Sequence, residues 1–197
     1  MSACGEEGLT MGAVSRAAEG FDRRAFTVSE VLRMQEAGIL SDKERYELIE
    51  GEIVLMQAKG PVHEVIKSAL TFHLARALPE TLWFGVESTL YLTEDTFVEP
   101  DLVVYPRELR TEGPKGSDII LAIEVSASSL AYDRGFKAQL YARYKVREYW
   151  VVDAFNRTTY QFRQPQSKNW RSRVERGPQE TLTHPALPGF SIRLSDY

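Results

Sequence analysis

The chain has 197 residues, 24 Lys and Arg against 28 Asp and Glu, a formal net charge of −4, and 43% hydrophobic and 11% aromatic residues. That composition excludes a disordered chain, and the length fits one domain able to bury roughly 70% of its unfolded surface. No apolar run reaches the ~20 residues of a membrane helix, no signal-peptide pattern opens the sequence, and the lone Cys4 excludes a disulfide framework or a Cys-based zinc site, so a cytoplasmic protein without membrane contact is expected.

Residues 1–25 are rich in Gly, Ala, Ser and charge without a sustained period and read as a flexible arm; residues 26–197 read as a single domain. Thr27-Val28-Ser29-Glu30 has capping-box spacing, and Gly38 is placed to end the short helix that follows. Tyr46–Ile49 and Glu52–Met56 are β-prone runs joined by Glu50-Gly51, the pattern of a hairpin. Gly60-Pro61 opens a helix, and Val62, Ile66, Ala69, Leu70 and Leu74 recur at helical spacing until Pro79 stops it. Leu82–Leu92 and Thr96–Tyr105 read as strands punctuated by Glu94-Asp95. Ile119–Val125 is nearly continuous in apolar residues and predicts a central strand covered on both faces. A second helix is expected from about Tyr132 to Tyr144, then a strand at Tyr149–Val152. A turn over Asp153–Arg157 leads into Thr158–Phe162, and the tail reads as loops and short strands. The sum is an α/β fold with a central mixed sheet flanked by helices and extra hairpins.

The net charge conceals an asymmetry. Residues 1–128 hold 22 acids and 12 bases (net −10), whereas residues 129–197 hold 6 acids and 12 bases (net +6). A basic second segment fits an anionic partner and equally fits a solvated basic face.

Two carboxylates fall where a plain core would not put them: Asp101, directly after Pro100 and before an apolar run, and Glu124, inside the Ile119–Val125 run. Each alone is accounted for by a strand end reaching water or by pairing with an arginine. Together, two acids on neighbouring strands can converge on a hard divalent cation such as Mg²⁺, for which Mn²⁺ can substitute, with the Val125 carbonyl, waters and a substrate phosphate completing the shell. Lys137 follows thirteen residues after Glu124, and helical spacing puts Asp133, Lys137 and Tyr141 on one face. An ammonium and a phenol beside metal-binding carboxylates suit phosphodiester hydrolysis; an Asp133–Lys137 surface ion pair accounts for the spacing just as well. His63 and Glu64 sit in the first turn of their helix, as supporting candidates or as plain capping and surface residues. There is no Gly-rich phosphate loop, no HExxH and no nucleophile elbow, so a P-loop enzyme, zinc protease or serine hydrolase has no support.

The order Arg45–Glu52, His63, Glu99-Pro100-Asp101-Leu102-Val103, Ala122-Ile123-Glu124-Val125-Ser126-Ala127-Ser128-Ser129, Asp133–Lys137, Tyr141 and Glu148–Asp153 resembles the Uma2 family. These are restriction-endonuclease-like proteins of the PD-(D/E)xK superfamily. The likeness spans about residues 27–195. It implies a restriction-endonuclease-like fold, with Pro100-Asp101 as the PD element and Glu124 as the second acid. Ser126 stands where the superfamily lysine is expected, and the resemblance implies that Lys137 on the following helix takes that role. Two departures are visible. The stretch after Val125 lacks the proline more usual in the family, and Phe136 precedes the helix lysine where a glutamate is usual.

The reading is thus a metal-dependent endonuclease acting on nucleic acid, DNA first. Asp101 and Glu124 hold Mg²⁺, Lys137 serves the nucleophile or transition state, Tyr141 supports them, and a homodimer is compatible with cutting two strands. The alternative is a catalytically inactive module of the same fold binding nucleic acid or a partner protein. A third reading, two carboxylates acting on a glycosidic bond, would need no metal and leaves Lys137 without a role.

Overall fold

The structure, a computed structural model, describes residues 23–41 and 43–197; most of the 1–25 arm expected from sequence lies outside them. Helix α1 (Val28–Glu36) starts at a reciprocal capping box: Glu30 N–H donates to the Thr27 hydroxyl, and Thr27 N–H donates to the Glu30 carboxylate. Gly38, at φ +70°, turns the chain out of it. Strands β1 (Tyr46–Ile49) and β2 (Glu52–Leu55) form the expected hairpin. Both turn residues have positive φ, Glu50 at 50° and Gly51 at 80°, as a two-residue hairpin loop requires. Gly51 also packs on Ala25 so closely that a Cβ would come within 2.5 Å of the alanine's own, so only glycine fits. Helix α2 (Pro61–Ala77) begins with proline in its first turn and buries Ile66, Leu70 and Leu74.

Each of the next two expected strands is broken in two, and the pieces join different sheets. Leu82–Leu92 becomes β3 (Leu82–Val86) and β4 (Leu90–Thr93), interrupted where Glu87 turns at φ 48° and donates its N–H to the Asp101 carbonyl. Thr96–Tyr105 becomes β5 (Thr96–Val98) and β6 (Leu102–Pro106), interrupted at Pro100, which has no N–H for a ladder. The chain then continues through β7 (Leu121–Ser126) into a helical crossover. That crossover is a short turn α3 (Leu130–Tyr132), a π-helical turn (Asp133–Lys137) and α4 (Ala138–Arg143), leading to β8 (Glu148–Asp153). The tail holds more strand than its sequence predicts: β9 (Thr159–Gln166) and β10 (Asn169–Arg176) form a hairpin of two eight-residue strands, followed by β11 (Thr181–His184) and β12 (Leu187–Arg193). Arginines at alternate positions of β10 mask a strand whose Trp170 is buried in the core.

The main sheet has the order β10-β9-β8-β7-β6-β3, antiparallel except for the parallel β7–β8 pair that the crossover joins. A smaller sheet has the order β2-β1-β5-β4. One core lies between the main sheet, α2 and the β11–β12 hairpin, around Ile66, Leu121, Ile123, Trp150 and Phe190. A second lies on the other face, where α4 and the small sheet pack over Val103, Ala122, Tyr149, Val151 and Phe162. Mixed α/β architecture with a mixed sheet between helices is therefore as expected. No helix among the described residues is long and apolar enough to cross a membrane.

Candidate active site

Asp101 occupies the step between the two sheets. Extending the β6–β7 register (Leu102 opposite Ile123) by one residue puts it across from Glu124. Its Oδ2 accepts the Val125 N–H at 2.8 Å and lies 3.1 Å from His63 Nε2, while Oδ1 accepts from Lys59 Nζ at 2.6 Å. Burial raises the Asp101 carboxyl, but the His63 and Lys59 contacts outweigh it and hold the group down at about 2. Lys59 also reaches Glu87 at 2.7 Å, and Glu87 in turn accepts from Lys67. His63 is set by the first turn of α2 and places its other ring nitrogen 3.1 Å from Glu64.

Glu124 sits in mid-strand on β7 and is buried, with 5% of its surface exposed. Lys137 Nζ donates to its Oε1 at 2.9 Å and Tyr141 hydroxyl at 3.1 Å. Burial dominates and pushes the Glu124 carboxyl up to about 8, opposed by the Lys137 ammonium and reinforced by Asp101, Asp133 and Glu47. Burial alone would lower Lys137, but Glu124 and Glu47 reverse it and raise the ammonium above its ordinary value. The second arm of that clamp is Glu47 from β1, whose Oε1 accepts from Lys137 at 2.8 Å and from the Glu99 N–H at 2.9 Å.

The π-turn changes what spacing predicts for the crossover helix. Ala138 N–H donates to the Asp133 carbonyl five residues back, so the helix is locally wider than the four-residue repeat assumes. Asp133 and Lys137 do not form the surface ion pair that the spacing also allowed. The Asp133 carboxylate instead accepts from the Ser126 hydroxyl at 2.7 Å and from Ser129. Ser126, at the position where a lysine is expected, thus pins the helix start to the end of β7.

These side chains line one cleft of about 450 Å³. Its walls carry the carboxyls of Glu47, Asp101, Glu124 and Asp133, the ammoniums of Lys59 and Lys137, and the His63 imidazole. Asp101, Glu124, Lys137 and His63 are brought together as one set. Tyr141 reaches it from behind Glu124, whereas Glu64 is not among its lining residues and bonds to His63 and Lys67. Sequence reasoning missed Glu47 and Lys59. Glu47 carried the same signal as Glu124, a carboxylate in an apolar strand; Lys59 lies in a loop and carried none. Among the described residues no three His, Cys, Asp or Glu side chains make a ready-formed metal cage. The donor set nonetheless fits a hard dication, which takes one or two protein carboxylates and otherwise water and phosphate oxygens. Carboxyls outnumber ammoniums on the cleft wall, and among the described residues both side-chain hydrogen bonds to Glu124 fall on Oε1 and none on Oε2.

Comparison with known proteins agrees with this architecture. A search of curated proteins finds no match. Among solved structures, the chain is similar to an Anabaena variabilis ATCC 29413 protein described as "a putative nuclease belonging to DUF820". That similarity has a TM-score of 0.65 at 17% identity, covering 87% of this chain and 96% of the other, and speaks to the fold. The family model for Uma2, described as "Putative restriction endonuclease", matches residues 28–195, from the first residue of α1 past the end of β12. A match over nearly all of the described chain, on a fold that gathers Asp101, Glu124 and Lys137 into one cleft, shows that this chain belongs to the Uma2 family.

Proposed function

We propose that the protein is a metal-dependent nuclease hydrolysing phosphodiester bonds in nucleic acid, with DNA as the first candidate. The observation that carries this reading is the cleft in which Asp101 and Glu124 meet Lys137 with a surplus of carboxyl groups. Asp101 and Glu124 would hold Mg²⁺, or Mn²⁺ in its place. Bound there, the cation would make the attacking water more acidic and neutralise charge building on the phosphate. The chain's own groups supply the rest. Val125 N–H and His63 fix the Asp101 carboxylate, and Tyr141 and Lys137 fix one oxygen of Glu124. The Lys137 ammonium, in the same cleft, would stabilise the negative charge that develops as water oxygen bonds to phosphorus and the ester oxygen leaves. Glu47 keeps that ammonium charged and aimed.

The test is direct. Wild-type protein binds Mn²⁺ and cleaves mixed DNA and RNA substrates only when Mg²⁺ or Mn²⁺ is present. Asp101→Ala weakens Mn²⁺ binding at least about tenfold in calorimetry and lowers cleavage by more than about 100-fold. No metal-dependent cleavage of any substrate, with Mn²⁺ affinity unchanged by Asp101→Ala, would overturn the reading in favour of a non-catalytic module.

A further inference from the structure

A second concavity, of about 450 Å³, lies on the far side of the crossover from the cleft. Its floor is the half of the β9–β10 hairpin away from the connecting turn, where Phe162 pairs with Arg173 and Tyr160 with Glu175 across the ladder. Its wall is the turn carrying Arg134 and Gly135. The Arg134 guanidinium sits 3.5 Å above the centre of the Tyr160 ring, and Arg173 lies 5.9 Å from that of Phe162. Neither arginine is neutralised by a carboxylate among the described residues; Arg173 donates only to the Asn169 side chain, at 3.2 Å. Gly135 leaves open space: a Cβ built there meets nothing within 4 Å. Ala131 lines both this groove and the cleft, so the two are neighbours across one helical turn.

The geometry points to a nucleotide-binding subsite: the groove takes one unpaired nucleotide of the nucleic-acid strand whose phosphate lies in the cleft. An exposed guanidinium backed by a tyrosine ring is a stacking platform for a base. Arg173 supplies the charge for an adjacent phosphate. Glu175 is poorly suited to a run of bare phosphates, but a carboxylate accepts from an exocyclic amine at a base edge. The mixture therefore matches a splayed base with its phosphate rather than the backbone of an intact duplex. This inference rests on the nuclease reading for its choice of ligand, and it supplies what the cleft lacks, a grip on the strand away from the reacting phosphate.

The experiment measures binding without cleavage, in EDTA, by fluorescence anisotropy of labelled single-stranded DNA and RNA of about 12 nucleotides, with the matching duplexes alongside. Wild-type protein binds a single strand more tightly than the duplex. Arg134→Ala and Gly135→Leu, both at open positions, each weaken single-strand binding about tenfold while the melting temperature holds. Groove variants that bind like wild type, or a wild type that prefers the duplex or binds neither form, would overturn the subsite. The two readings fail separately. Groove-dependent binding with no metal-dependent cleavage sinks the nuclease and keeps the subsite. Cleavage with groove variants unaffected in binding does the reverse.

Discussion

Glu124 and Asp101 face one cleft and titrate in opposite directions, for reasons visible in their contacts. Asp101 has an ammonium, an imidazole and a backbone N–H on its two oxygens, whereas Glu124 has one ammonium, already shared with Glu47, and a phenol. A carboxyl whose value is raised in the folded state, here from 4.5 to about 8, binds its proton more tightly folded than unfolded. Stability of the metal-free protein should therefore fall as pH climbs through that window. Thermal melts between pH 5 and 8 in EDTA test this: the midpoint declines with pH in wild type, and Glu124→Gln flattens the decline. Added Mn²⁺ should oppose it, since the cation competes with the proton for the same carboxylate and binds more tightly as pH rises.

At the scale of elements, the crossover helix is anchored near its start and at its middle. Ser126 and Ser129 hold Asp133 at its start, and Trp170 on β10 donates its indole N–H to the Ala138 carbonyl at 2.7 Å, one residue after Lys137. Trp170→Phe keeps an aromatic ring in the second core but loses that buried bond. It should lower stability by about 2 kcal/mol in urea unfolding. Sequence made some elements plain and hid others for definite reasons. The capping box at Thr27, Glu50-Gly51 and Gly60-Pro61 act through local backbone chemistry, so they are readable one segment at a time. The breaks at Glu87 and Glu99–Asp101 are not. They occur because the chain changes sheets there, under the pull of Lys59, Lys67 and Arg45 on Glu87 and Glu99. Asp101 and Glu124 stood out as charges against apolar runs. Lys59 was illegible because only the fold brings a loop residue to a carboxylate 42 positions away. The π-turn leaves no mark in the hydrophobic pattern at all.

At the scale of the whole molecule, the six-stranded sheet is covered on both faces but open at β3 and β10. Amide exchange should be slowest in β7 and β8, whose residues are all buried, and fastest in β3 and the outer positions of β10, as mass spectrometry of exchanged peptides can check. The sheets meet at the cleft, so its wall draws on β1, the loop before α2, the step before β6, β7 and the crossover helix. The clamp on Lys137 has a further consequence for how the protein is made. Glu47 leaves the ribosome 90 residues before its counter-ion, whereas Glu124 precedes Lys137 by only 13. During synthesis the early hairpin therefore carries a carboxylate that must stay in water until the crossover arrives. The small sheet can settle against the main one only afterwards, so the segment that completes the cleft also licenses the burial of what came first.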